Sequence, residues 1–288
     1  MSLLIWWMRR SFKRNDAKRD AGLTVPDNVQ RFVDISYGPH GRWNTLDVYR
    51  PKDAEGKLPV IVSVHGGGWF YGDKELYQYY CMSLVQHGFA VVNFSYRLAP
   101  ENRFPAALED TNAVFCWLLE HADEYALDTG RVFGVGDSAG AQILGLYACA
   151  CTDPAYAASL PIRPPEGFAL KAVALNCGVY HVEPGERNAI VKAMFHGNPT
   201  KEQLDRVSVL NHANASFPPS FEMTGEGDFL AEAAPPMAER LRELGVQVEY
   251  RFYGDAQHPL GHVFHCNLYL DEAKRCNADE CAFFQSYC

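Results

Sequence analysis

Hydrophobic positions along the chain follow two alternating patterns. Short apolar, β-branched runs at 59–64, 90–94 and 132–135 are typical of strands buried on both faces of a sheet. Between these runs, apolar residues recur at helical spacing, as around 105–118. Because strand-like and helix-like segments alternate, the pattern predicts a mostly parallel sheet with helices on both faces.

Other segments refine this picture. Residues 31–37 and 45–50 read as a starting hairpin, and 170–175 as a fourth buried strand. Residues 181–215 carry no strand pattern, which favours an insertion or lid. Hydrophobic residues alternate with other residues over 246–252, so we expect a half-exposed strand near an edge of the sheet.

Composition limits the class of protein. The chain has 288 residues, 48% of them hydrophobic, which fits one large domain over 1–288. A net charge of -9 argues against nucleic-acid binding and against a general attraction to anionic membranes. No stretch reaches the length of a membrane span, so no stable membrane insertion is expected. The basic, Trp-containing start predicts an amphipathic helix packed on the domain, with membrane-surface association as the alternative.

Nine cysteines, an odd number, lie mostly in apolar stretches. We interpret them as reduced and the protein as cytoplasmic. His262, His265, Cys266, Cys276 and Cys281 cluster in the sequence, but they lack the paired spacing of zinc sites. Neither a metal nor a cofactor is therefore expected.

A nucleophile motif lies between the third buried strand and the helix after it. Gly136-Asp137-Ser138-Ala139-Gly140 matches G-x-S-x-G, in which a strained strand-to-helix turn exposes the serine and requires small neighbours. A glycine-rich turn without chemistry is the alternative. The strand–turn–helix context favours Ser138 as a nucleophile.

A glycine-rich loop follows the first buried strand as His65-Gly66-Gly67-Gly68-Trp69. Such a loop can turn its backbone N–H groups toward the oxyanion of an acyl-transfer intermediate. We assign Gly67 and Gly68 as donors, with Ala139 as the third. A phosphate-binding loop would need a different spacing. His65 is expected to bind backbone rather than to act as the base.

The acid and the base are expected after the nucleophile, in that order. Asp228 follows a predicted strand, with Glu226 and Asp255 as rivals. His262 is our candidate base, and His258 and His265 are the alternatives. A serine hydroxyl needs such a base, and the imidazole needs a carboxylate to hold its tautomer.

Four blocks together resemble the hormone-sensitive-lipase-like esterases of the α/β-hydrolase fold. They are the glycine loop, residues 95–110 with the sequence SYRLAPENRFPAALED, the Ser138 motif, and Asp228 with His262. The resemblance implies an eight-stranded, mostly parallel sheet with a small cap, which residues 1–30 and 181–215 would supply. It departs from the usual pattern where Ala141 replaces a glycine and where Val263 follows the histidine.

The resemblance implies a serine carboxylesterase acting on small, short-chain esters, such as acetyl esters, through a Ser-His-Asp triad and an acyl-enzyme. An amidase or arylformamidase and a non-catalytic small-ligand receptor are the alternatives. Trp69, Phe70 and Tyr71 are candidates to line the substrate pocket, with ordinary core packing as the other interpretation. A homodimer is compatible with the sequence.

Overall fold

The centre of the protein is a twisted sheet flanked by helices. A computed structural model describes residues 3–182 and 189–288. Across these residues, eight strands form one sheet: Val29–Ser36 (β1), Thr45–Pro51 (β2), Leu58–Val64 (β3), Ala90–Phe94 (β4), Leu127–Asp137 (β5), Val173–Asn176 (β6), Ser220–Gly225 (β7) and Val248–Tyr253 (β8). Their order is β1-β2-β4-β3-β5-β6-β7-β8. β2 is antiparallel to both of its neighbours, and the other pairs are parallel.

Helices cover both faces of this sheet. Their bounds in the described chain are Leu3–Arg19 (α1), Lys74–Val85 (α2), Ala106–His121 (α3), Ala139–Thr152 (α4), Pro154–Ala158 (α5), Ala189–Met194 (α6), Lys201–Arg206 (α7), Val209–His212 (α8), Ala234–Glu243 (α9) and Asp271–Gln285 (α10). No helix in the described ranges combines the length and the apolar character that a membrane crossing requires.

Two hydrophobic cores lie on opposite faces of the sheet. On β3, Val60 and Val62 belong to a core with α3, α4 and α9, whereas Ile61 belongs to a core with α2 and α10. Successive side chains of a strand point to opposite faces, so a strand covered on both sides is apolar at most of its positions. The continuous apolar runs in the sequence have this cause.

The predicted α/β-hydrolase architecture is confirmed, and only boundaries differ. β5 begins at Leu127, before the predicted 132–135, and β6 begins at Val173 rather than at Leu170. Leu170 is buried, but it precedes the strand pairing, which begins where Val173 lies opposite Gly134. Its hydrophobicity therefore reflects packing rather than strand conformation. β8 is an edge strand, as predicted, and its Phe252 is exposed.

The two segments predicted to form a cap contain helices in the described chain. α1 lies within 1–30, and α6, α7 and α8 lie within 181–215. Residues 1–2 and 183–188 of these segments lie outside the described residues. All nine cysteines carry free thiols, and only Cys288 is exposed.

Glu222 is a buried carboxylate in the middle of β7. Its side chain is fully buried, and neither carboxylate oxygen has a hydrogen-bond partner in the described part of the chain. Burial raises the pKa of Glu222 well above its ordinary value, against the attraction of Arg242. The folded protein therefore holds a proton at this position at pH values where the unfolded chain has lost it.

We expect Glu222→Met to raise the free energy of unfolding by about 1–3 kcal/mol at neutral pH, because an unpaired buried polar group is replaced by an apolar one. Above about pH 4.5 the Glu222 carboxyl keeps its proton in the folded state but loses it in the unfolded chain. The free energy of unfolding of the wild type therefore falls as pH rises above that value. The difference in unfolding free energy between Glu222→Met and the wild type should therefore increase as pH rises. Urea unfolding across pH measures it, with the exposed Glu239→Met as control. An equal gain in both variants would contradict the explanation.

Candidate active site

Ser138 lies at the sharp turn between β5 and α4. Its backbone has φ 54° and ψ −117°, a strained conformation for a residue with a side chain. The Ser138 N–H donates to the carbonyl oxygen of Asn176, which fixes the turn against β6. A Cβ atom added at Gly136 would lie 2.6 Å from the Gly140 oxygen, so the spacing of small residues in the motif has a direct steric cause.

Asp228 and His262 meet across two neighbouring loops. Gly227 and Gly261 form an isolated parallel bridge, which brings the loop after β7 beside the loop that follows β8. The Nδ1 atom of His262 lies 2.7 Å from Oδ1 of Asp228. This distance is that of a strong hydrogen bond between the imidazole and the carboxylate.

The Asp228 carboxylate is fixed by other donors as well. The Thr224 hydroxyl donates to its Oδ2 at 2.9 Å, and the Leu230 N–H donates to Oδ1 at 2.9 Å. Burial would raise the pKa of Asp228, but the hydrogen bond and charge of His262 outweigh it and hold the pKa below its ordinary value. The carboxylate therefore stays ionised near neutral pH and can orient the imidazole.

The alternative bases and acids lie elsewhere. His258 is exposed and faces Asp255, whose side chain is itself exposed. His265 is fully buried, and burial lowers its pKa to about 3, so it stays neutral. Glu226, the nearest rival to Asp228, is exposed to solvent. Among these candidates, only His262, which is paired with Asp228, lines the same cavity as Ser138.

The glycine loop presents backbone groups to the same region. Gly67 and Gly68 have φ of 116° and 60°, which favour glycine. In the described chain, their N–H groups donate no hydrogen bond to protein. The N–H of Ala139 is at the first position of α4, where a helix provides no internal acceptor. All three predicted donors thus remain available to a ligand.

His65 binds the backbone of the glycine loop. Its Nδ1 atom lies 2.7 Å from the Gly66 oxygen, and its ring stacks on Tyr96 with 4.0 Å between centroids. Burial lowers the pKa of His65 to about 4, so the ring is neutral. This is the backbone-binding histidine that the sequence predicts.

Tyr77, a residue of α2 that no motif singles out, connects the loop to the nucleophile turn. Its hydroxyl accepts from the Gly66 N–H at 3.0 Å and donates to Oδ2 of Asp137 at 2.7 Å. Burial raises the pKa of Asp137 to about 6, against the opposing hydrogen bond from Tyr77. Asp137 directly precedes Ser138, so one hydroxyl joins both halves of the site.

Residues 95–110 support the other side of the loop. The Arg97 side chain binds the Asp110 carboxylate at 2.9 Å, and Asp110 also accepts from the Arg97 N–H. Two residues later, the Ala99 N–H donates to the Trp69 oxygen at 2.9 Å. The most distinctive sequence block of the family resemblance thus holds the backbone beside the glycine loop.

A cavity of about 530 Å³ opens above these groups. Ser138, His262, Gly68 and Ala139 lie in its wall, and the rest of the lining is mainly apolar: Phe12, Trp69, Phe70, Val179, Ile190 and Phe229 are examples. Tyr71 is not among its lining residues. The N–H groups of both Phe70 and Tyr71 donate to the Gly67 oxygen, and this tight turn directs the Tyr71 hydroxyl to Asp16 at 2.7 Å.

Ser138 and His262 both line this cavity. Within the described residues, which include both of their loops, the two side chains are not hydrogen-bonded to each other. Such contacts commonly tighten only when substrate binds. The arrangement can nevertheless perform acyl transfer, because a hydroxyl, an oriented imidazole and free N–H donors surround one space.

Metal binding fits these residues poorly. Cys177, Asp228 and His262 place one potential ligand atom each within 4.8 Å of one another, and no other such group occurs in the described ranges. However, burial raises the pKa of the Cys177 thiol well above its ordinary value, so it does not supply the thiolate that metals bind. The short Asp228–His262 hydrogen bond already occupies the other two groups.

Comparison with known proteins finds esterases among the relatives of this chain. Esterase LipQ of Mycobacterium tuberculosis is 29% identical over 284 residues, covering 88% of this chain and 65% of LipQ. The carboxylic ester hydrolase LipM of the same organism, itself named as probable, is 30% identical, covering 74% of this chain and 52% of LipM. The chain thus matches only part of the length of these two relatives.

The fold also matches solved structures. Esterase B from Lactobacillus rhamnosis superposes with a TM-score of 0.88 at 23% identity, covering 98% of this chain and 93% of that one. Residues 61–262 match the profile of a family described as alpha/beta hydrolase fold. This range contains the glycine loop, Ser138, Asp228 and His262. The chain therefore belongs to the α/β-hydrolase fold family, in its hormone-sensitive-lipase-like branch.

Proposed function

We propose that the protein is a serine carboxylesterase with Ser138 as nucleophile, His262 as base and Asp228 as the orienting acid. The observation that carries the proposal is that His262, which lies 2.7 Å from an ionised Asp228, lines the same cavity as Ser138. A merely structural histidine would not need to share a ligand-sized cavity with a strained serine.

The proposed reaction has two steps. His262 takes the proton of Ser138 while Oγ attacks the ester carbonyl, and the alcohol leaves with a proton from the same imidazole. The N–H groups of Gly67, Gly68 and Ala139 hold the oxyanion. Water, activated by His262, then releases the acid from the acyl-enzyme. Each oxyanion donor contributes about 3–4 kcal/mol to such a barrier reduction.

The cavity supports small, apolar acyl groups as substrates. Its volume of about 530 Å³ is that of a small-molecule site, and aromatic and aliphatic side chains line most of it. One relative, the versiconal hemiacetal acetate esterase of Dothistroma septosporum, is 28% identical over 228 residues and is named for an acetate ester. Short-chain esters, acetyl esters included, are therefore our proposed substrates.

We also propose that α1 and the described part of 181–215 form the cap over this site. Phe12, Asn15 and Asp16 of α1 line the cavity on one side, and His181, Val182, Ile190 and Val191 line it on another. Ile5 is buried together with Ala193, so the two segments support each other. A cap of this kind would restrict the length of acyl chain that can enter.

We expect p-nitrophenyl acetate and butyrate to be hydrolysed best, with kcat/KM falling at least about tenfold by the laurate ester because the capped cavity limits chain length. Initial rates over the series from acetate to palmitate measure this profile. An aryl formamide is the comparison substrate. Faster turnover of the formamide than of every ester would favour the amidase instead, and no turnover of any of them would favour a receptor.

A further inference from the structure

The exposed half of α1 has an unusual composition. Its large exposed residues are four apolar side chains followed by four basic ones, which we call the basic-aromatic face: Leu3, Leu4, Trp6, Trp7, Arg10, Lys13, Arg14 and Lys18. Trp7 is 65% exposed, and the Arg10 guanidinium lies 5.7 Å from the Trp6 ring. Within α1 no aspartate or glutamate is exposed.

The opposite half anchors the helix firmly to the domain. The Arg9 guanidinium donates to the Phe70 and Ala99 oxygens and to the Glu101 carboxylate. Ile5 is buried, and Asp16, the one acid of the helix, accepts from the Tyr71 hydroxyl. The helix is therefore held with its apolar and basic side chains directed to solvent, and their exposure is a fixed property of the fold.

The charge of the chain is divided unequally between α1 and the remainder. α1 contains six basic residues and one acidic residue, a net charge of +5, in a chain whose total is -9. The rest of the chain consequently carries -14, because +5 and -14 sum to -9. An anionic surface would repel most of the protein and attract this one face, so any binding would have a defined orientation.

We propose that the basic-aromatic face docks on an anionic lipid surface. Exposed tryptophans and leucines beside lysines and arginines are the combination that settles at the boundary between headgroups and acyl chains. The first two turns supply the apolar side chains and the later turns supply the cations. A second copy of this chain is a poor occupant, because a two-fold interface would place the same basic stripe against itself.

Docking would also place the cavity beside the lipid. Phe12, Asn15 and Asp16 line it from the same helix that carries the docking face. Ester substrates that partition into the lipid would thereby enter the cap region directly. This last consequence rests on the proposed esterase function, whereas docking itself does not.

Vesicle flotation tests the proposal with the full chain. We expect it to float with phosphatidylcholine vesicles containing about 30% phosphatidylglycerol and not with pure phosphatidylcholine. Raising NaCl from about 0.1 M to about 0.5 M should release it, because screening weakens the attraction. Brominated acyl chains should quench tryptophan fluorescence, and Trp6→Phe/Trp7→Phe should remove most of that quenching, since Trp69 and Trp117 are buried and Trp43 is only partly exposed.

A pair of charge variants separates this face from net charge. Replacing Arg10, Lys13, Arg14 and Lys18 together by glutamine should weaken vesicle binding at least about tenfold. The matched control replaces four exposed basic residues elsewhere, Lys52, Arg163, Lys171 and Lys201, and should bind as wild type. Circular dichroism and esterase rates check folding of both variants. Equal loss in both, or no binding of wild type to the anionic vesicles, would overturn the proposal.

Discussion

Ser138→Ala is expected to lower kcat for p-nitrophenyl acetate by at least about 10⁴-fold while leaving the thermal unfolding midpoint near that of wild type. The loss is large because the nucleophile forms the covalent bond of the reaction, and no neighbouring side chain can replace it. Steady-state kinetics measure the loss. Labelling by a fluorophosphonate, followed by mass spectrometry, should modify Ser138 in wild type alone.

Ser216→Ala is the matched control, since this serine is exposed and lies outside the cavity. It should retain full activity and labelling. Retained turnover and retained labelling in Ser138→Ala would refute the assignment of the nucleophile. That outcome would leave the lipid-docking proposal untouched, because vesicle flotation requires no catalysis.

Asp228→Asn is expected to reduce kcat/KM by about 10³–10⁴-fold, because the amide can no longer hold the His262 tautomer that accepts the serine proton. Stability should fall as well, by about 1–3 kcal/mol at neutral pH, through loss of charged hydrogen bonds. A depressed pKa stabilises the folded state above the ordinary value of 3.8 and ceases to do so as pH falls through the folded value. The stability gap between the variants should therefore close in acid.

Asp255→Asn provides the comparison. Asp255 also faces a histidine, but both side chains are exposed and neither lines the cavity. Full activity and unchanged stability are expected for it. A large loss of kcat/KM in Asp255→Asn with little loss in Asp228→Asn would make Asp255, and not Asp228, the acid that orients the base.

The fold was predictable from local pattern because its strands are covered on both faces. β4 is buried at every position and β3 from Val60 onward, so the two strands read as apolar runs that only Ser63 and Asn93 interrupt. The ends of the strands were harder to predict from the sequence. Leu170 has the same hydrophobicity as a strand residue, yet pairing begins only at Val173, and pairing depends on a partner strand distant in the sequence.

The site could be predicted from the sequence where a single short segment contains the complete motif. Ser138 lies in a motif whose spacing reflects steric limits within five residues. Asp228 and His262 could be proposed from their order in the chain, from the strand before Asp228 and from the family resemblance, but their contact depends on the bridge between Gly227 and Gly261. Three histidines lie within 258–265, and the local sequence favours His262 only through the room that Gly261 gives the turn and through the apolar Phe264.

Contacts between segments that lie far apart in the sequence could not be predicted. Tyr77 joins Asp137 across 60 positions, yet its phenol is identical in sequence terms to those of Tyr79 and Tyr80. Tyr71 and Phe70 are adjacent aromatic residues of the same loop, but only Phe70 lines the cavity. Both N–H groups donate to the Gly67 oxygen, and the geometry of this turn follows from backbone hydrogen bonds that a residue pattern does not encode.

The Tyr77 bridge has a consequence for when the site is assembled. Its hydroxyl fixes Gly66 and Asp137 to each other inside the protein, away from the space that substrate enters. The glycine loop and the nucleophile turn are consequently joined by hydrogen bonds that need no contribution from a ligand. The cost of ordering the oxyanion donors is thus met during folding, and little reorganisation energy remains to be supplied at the moment of reaction.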